Sequence, residues 1–162
     1  MSRVQERLGK DHAEIHALLE CLEQDVDAPG CGALATSWAA LEERLLRHMR
    51  AEELYLLPLL EASHPTEVER THAEHARIRE LVDELGVAVE LHTARKPAIT
   101  ELIELLKLHS AREDEALYSW AGDKASTAVQ RSLFSALRGT LQTALSSAKP
   151  SLASSSRRRS DS

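Results

Sequence analysis

In the stretch "LLRHMRAEELYLLPLL", residues 45–60, His48 and Glu52 interrupt a helical face that otherwise reads as apolar. The two lie four residues apart, so on a helix their side chains leave the same face one turn apart. His109 and Glu113 repeat that spacing further along the chain, and His12 and His75 each follow an acid, as "DH" and "EH". Ionisable groups on an inward face are costly to bury alone. A metal ion reverses that cost, because the same groups become its ligands. Imidazole and carboxylate without thiolate suit iron, manganese or zinc.

The elements that must position these residues are helices. Leu, Ala, Glu and Arg are abundant, aromatic residues are scarce, and alternating strand patterns are absent. Breakers at 27–32 ("DAPGCG"), 63–67 ("SHPTE"), 95–97 ("RKP") and 121–126 ("AGDKAS") divide the chain. The segments between them predict helices at about 2–26, 34–62, 65–94, 97–120 and 124–147. Short connections between long helices favour antiparallel neighbours. The expected fold is therefore all-α, an up-down-up-down four-helix bundle at 1–121. An additional amphipathic helix falls within 122–148, and a serine-rich tail expected to be disordered fills 149–162. The fifth helix carries Val129, Leu133, Phe134, Leu137, Leu141 and Leu145 on one side, to cover the bundle or to form a homodimer face.

The inward stripes reveal a repeat. The first helix gives Leu8, His12, Ile15, Leu19, Leu22 and Val26, and adding 63 from His12 onward yields the third-helix stripe His75, Ile78, Val82, Leu85 and Val89. The second gives Trp38, Leu41, Leu45, His48, Glu52, Tyr55 and Leu59, and adding 61 yields Ile99, Leu102, Leu106, His109, Glu113, Ala116 and Trp120. The bundle is thus two copies of a helical hairpin, and four imidazoles and two carboxylates converge on its axis. Two metals suit this doubled set better than one. His12 and His48 are expected on one metal and His75 and His109 on the other, with Glu52 and Glu113 bridging. A bridging oxo or hydroxo group would leave about one open position on each metal, as ligand-binding and catalytic sites have.

Other residues carry weaker expectations. Glu53 and Asp114 follow the bridging glutamates, where a solvated face is the default and a hydrogen bond to a ligand histidine the sharper alternative. Tyr55 lies one turn past Glu52, opposite Ala116, for core packing or as a phenol facing the pocket. Trp38 and Trp120 read as core end-caps, and His64 and His92 as surface residues. A ferritin-like di-iron site would need two copies of Glu-x-x-His. Glu69-x-x-His72 has that spacing, without a copy at the repeat offset.

The motifs "DHAEI", "HMRAEELYLLP", "EHARI" and "HSAREDEALY", in that order from Leu8 to about Trp120, resemble the hemerythrin-like, HHE-type cation-binding domain. The resemblance implies a non-haem centre of two iron ions within the bundle, ligated by His12, His48, Glu52, His75, His109 and Glu113. It departs from invertebrate hemerythrin, which has five histidine ligands and an aspartate bridge where Glu113 stands. His16 or His72, each one turn from a ligand histidine, could supply a fifth histidine. A fifth ligand would saturate one iron and leave the other open to dioxygen. The function the resemblance implies is binding of dioxygen or a related small diatomic, for transport, storage or sensing. The alternatives are a di-iron enzyme handling peroxide, nitric oxide or iron release, and an iron-sensing regulatory module.

The net charge of −6 argues against nucleic-acid binding. The longest apolar run, 54–60, is too short to span a membrane. The charged N-terminus lacks the apolar core of a signal peptide, so a cytoplasmic location is expected. There Cys21 and Cys31 would stay reduced.

Overall fold

A computed structural model describes residues 1–27 and 31–139, the side chain of Cys31 excepted. Its elements are α1 (Arg3–Asp25), α2 (Cys31–Tyr55), the single turn α3 (Leu57–Leu60), α4 (Pro65–Glu90), α5 (Lys96–Arg112), a π-helical turn (Glu113–Leu117), α6 (Tyr118–Lys124) and α7 (Thr127–Arg138). Helices α1 and α4 each pack against both α2 and α5, closing the four-helix ring that the sequence predicts. Among the described residues there is no strand, and no helix is long and apolar enough to cross a membrane.

Local chemistry sets the helix ends. Ser2 caps α1 reciprocally: its hydroxyl accepts from the Gln5 amide at 3.2 Å, and its own amide donates to Gln5 Oε1 at 2.7 Å. Pro65 and Pro97 lie in the first turns of α4 and α5, where a missing N–H costs nothing. α4 closes through His92, whose φ of 57° is left-handed, with the Thr93 amide bonded back to Ala88. Gly122 is required by close approach, since a Cβ there would stand 2.1 Å from Ser2 Oγ.

The inward stripes hold as far as Glu52 and Glu113 and then shift. Tyr55, Leu59, Ala116 and Trp120, expected inside, are only half-buried, whereas Leu56, Leu57, Leu60, Leu117, Tyr118 and Ala121 are buried. Two devices produce the same shift. In the second helix Pro58 lacks a donor and its ring crowds the carbonyl of Leu54, so α2 ends at Tyr55 and the chain restarts at Leu57. In the fourth, the π turn adds a residue and the Tyr118 amide bonds to Glu113 five positions back. The buried triplets still match at an offset of 61, so the repeat survives its own irregularity. Trp38 is buried as expected, while Trp120 stacks on His64 with ring centroids 4.0 Å apart.

The fifth helix covers the bundle. α7 lies against α2 and α1, burying Leu133 and Leu137 with Phe134 partly covered. The expected continuation to 147, including Leu141 and Leu145, and the tail at 149–162 lie outside the described residues.

Candidate metal centre

Two apolar clusters fill the bundle. One is built around Ile15, Leu45, Ile78 and Leu106, the other around Leu8, Leu57, Leu117 and Tyr118. Between them lies a polar layer of His12, His48, Glu52, His75, His109 and Glu113, every member no more than 4% exposed. The structure thus brings together all six residues that the repeat singles out. They form two groups, His12, His48, Glu52 and Glu113, and Glu52, His75, His109 and Glu113. Within each group one nitrogen or oxygen per residue lies within 4.8 Å of the others, and both glutamates belong to both groups.

Each imidazole is aimed by a carboxylate. The Nδ1–H of His12 donates to Asp114 at 3.1 Å, that of His48 to Asp11 at 2.9 Å, that of His75 to Glu53 at 2.9 Å and that of His109 to Glu74 at 2.8 Å. A carboxylate only accepts, so Nδ1 carries the proton and Nε2 faces the axis. This is the support that metal-ligating histidines receive in general. It obeys the repeat as well: Asp11 and Glu74 match at 63, Glu53 and Asp114 at 61. The acid preceding a first- or third-helix histidine therefore serves the histidine of the neighbouring helix. Arg44, Arg79 and Arg112 pair with Asp11, Glu53 and Glu74, whereas Asp114 is half-exposed. The solvated-face expectation for Glu53 and Asp114 gives way to the sharper one. The roles of Asp11 and Glu74 were not legible beforehand, although "DH" and "EH" carried the signal.

The buried atoms test whether a metal fits. Glu52 Oε2, Glu113 Oε1, His75 Nε2 and His109 Nε2 have no hydrogen-bond partner in the protein. Each such group costs about 1–3 kcal/mol if left unsatisfied. Four of them converging in one layer fit a cation, and the donor set suits a divalent transition metal.

Without metal, protons serve as the counter-charge. Burial opposes the His48 cation, but Glu52 and Asp11 outweigh it and carry the pKa up to about 10. His75 rises to about 11, where burial is outweighed by Glu113, Glu52 and Glu53. His12 is also raised, burial being overcome by Asp114 and Glu113. Burial pushes Glu52 up, yet His48 and His75 hold it well below the usual carboxylate range. Glu113, pushed up by burial and by Glu52, is brought below its ordinary value by the imidazoles around it.

Tyr118 is the residue that sequence reasoning missed. Its hydroxyl is fully buried and lies 2.6 Å from Glu52 Oε1, 2.9 Å from His12 Nε2, 3.2 Å from Glu113 Oε2 and 3.3 Å from His48 Nε2. The pocket-facing phenol expected of Tyr55 comes instead from Tyr118, because the π turn rotates it inward. Tyr55 packs half-buried against the second apolar cluster. His16 is half-buried, with Nε2 bonded to the Ser110 hydroxyl at 2.9 Å, and His72 is exposed; neither belongs to the two groups.

An α-helical bundle with paired imidazole–carboxylate groups across its axis defines a metal-binding four-helix protein. A family model, the hemerythrin HHE cation binding domain, matches residues 3–121, and the chain belongs to that family. No curated protein and no solved structure matches the chain.

Proposed function

We propose that the chain is a cytoplasmic non-haem di-iron protein that binds dioxygen or a related small diatomic, for transport, storage or sensing. His12 and His48 would hold one iron and His75 and His109 the other, with Glu52 and Glu113, which belong to both groups, available to each. The observation that carries the reading is the convergence of the unpartnered Glu52 Oε2, Glu113 Oε1, His75 Nε2 and His109 Nε2 on one buried layer. When bound, the iron pair supplies a redox-active Lewis acid for a small ligand. The chain supplies the rest: four outer carboxylates fix the imidazoles, two glutamates offset the metal charge, and the flanking apolar clusters exclude water.

Access supports a small ligand. A cavity of about 10 Å³ lies between His12, His48, His109, Ile15, Leu45 and Leu106. That is room for roughly one water-sized molecule. An organic substrate does not fit such a space.

The test is a cycle of air exposure and deoxygenation of the ferrous protein, followed in the visible range. The reading predicts a spectrum that appears with air and reverses when oxygen is removed. Irreversible oxidation with turnover of added peroxide would instead place the protein among di-iron enzymes.

A further inference from the structure

The reading above leaves one buried polar group without a task, the Tyr118 hydroxyl. We propose that Tyr118 is a fifth protein ligand on the metal of the His12–His48 half, bound through its phenolate oxygen. The proposal rests on the metal-centre reading and adds an asymmetry to it.

Spacing and hydrogen-bond supply both support this assignment. Donors about 2.1 Å from a metal and at right angles to one another stand about 3 Å apart. The Tyr118 oxygen lies 2.6–3.3 Å from four donor atoms at once, and these belong to the four residues of the first metal group. A phenol has one proton to give. It faces two carboxylate oxygens and two imidazole nitrogens, so its one proton reaches a single oxygen and cannot serve Glu52 and Glu113 together. A cation among all five satisfies every one of them. As the metal–oxygen bond forms, the O–H bond breaks and its proton passes to solvent water.

The second half has no equivalent. The repeat offset of 61 pairs Tyr118 with Leu57, which is also buried but offers only methyl groups. One half therefore has five protein donors and the other four, and the open position belongs to the His75–His109 half.

The chain contains two tyrosines, Tyr55 and Tyr118, which makes the test specific. Ferric protein is examined for a phenolate-to-iron charge-transfer band and the accompanying tyrosinate modes in resonance Raman. The expected result is both signals in the wild type and in Tyr55→Phe, and complete loss of both in Tyr118→Phe when the spectra are scaled to the iron each protein retains. In parallel the metal-free protein is titrated with zinc, and the ultraviolet tyrosinate band is recorded against bound metal. It should rise with zinc in the wild type and stay flat in Tyr118→Phe. Metal-loaded protein without tyrosinate signals, or signals that persist in Tyr118→Phe, overturns the proposal. Zinc binding with a tyrosinate band but no iron uptake removes the di-iron reading and leaves the ligand assignment standing. Binding of neither metal overturns both.

Discussion

The His12–His48 half and the His75–His109 half of the polar layer are built from one repeated hairpin, yet they differ. Both have two imidazoles aimed by outer carboxylates, and they share Glu52 and Glu113. Beside the first stands the Tyr118 hydroxyl; at the matching place in the repeat stands Leu57. In the second, Nε2 of His75 and of His109 faces only the shared carboxylates and has no hydrogen-bond partner, whereas Nε2 of His12 and of His48 reaches the Tyr118 hydroxyl. The repeat supplies two equivalent imidazole–carboxylate groups, and one difference at a shared register position makes them inequivalent. A centre that must hold two metals yet bind a ligand at one gains from that difference.

The largest expected effect comes from the parts common to both halves. Glu113→Ala removes an oxygen from each group and should abolish metal content almost entirely, as read by metal analysis of the purified protein. A variant that keeps full metal would show that the halves do not share their carboxylates. A smaller effect separates the halves. His75→Ala leaves its group three protein donors and should cost about one metal per chain. His12→Ala still has Tyr118 beside His48 and should retain that metal at reduced affinity. Equal losses from the two variants would remove the asymmetry.

The outer carboxylates come next. Asp11→Asn and Glu74→Gln should each weaken metal binding by about 10- to 100-fold, by competition with a chelator. Asp114→Asn should cost less, because Asp114 is half-exposed and Asp11 and Glu74 are clamped by Arg44 and Arg112. The reverse order would contradict the geometry.

The smallest effect is the pH dependence of the metal-free protein. The raised values of His48, about 10, and His75, about 11, stabilise the fold fully below the ordinary imidazole value of 6.5. That contribution is lost as pH rises through the raised values. The lowered values of Glu52 and Glu113 act above 4.5 and are lost as pH falls through them. Thermal melting of metal-free protein should therefore fall between pH 7 and 10. Metal-loaded protein, in which the metal replaces the imidazole protons, should change less. A metal-free melting temperature that rises over that interval would contradict the assignment.

The six inward polar residues were legible in the sequence because a straight helix obeys its period and the period exposed the repeat. The period misleads where the helices stop being straight. Pro58 was a visible breaker, but running the apolar stripe up to it and across it placed Tyr55 and Leu59 inward. Nothing in "EDEAL" announces a π turn, so the same extension placed Ala116 inward and hid Tyr118. The one available signal was that Leu117, Tyr118 and Ala121 match Leu56, Leu57 and Leu60 at the repeat offset. Two of the outer carboxylates, Asp11 and Glu74, were unreadable for another reason. Asp11 supports His48 and Glu74 supports His109, and such pairings across helices come from packing rather than from neighbours in sequence.

The central claim is that the two halves each hold an iron, and anaerobic titration of metal-free protein with ferrous iron tests it most directly. The account predicts saturation at about two irons per chain. Saturation at one, or uptake of zinc with none of iron, would contradict it.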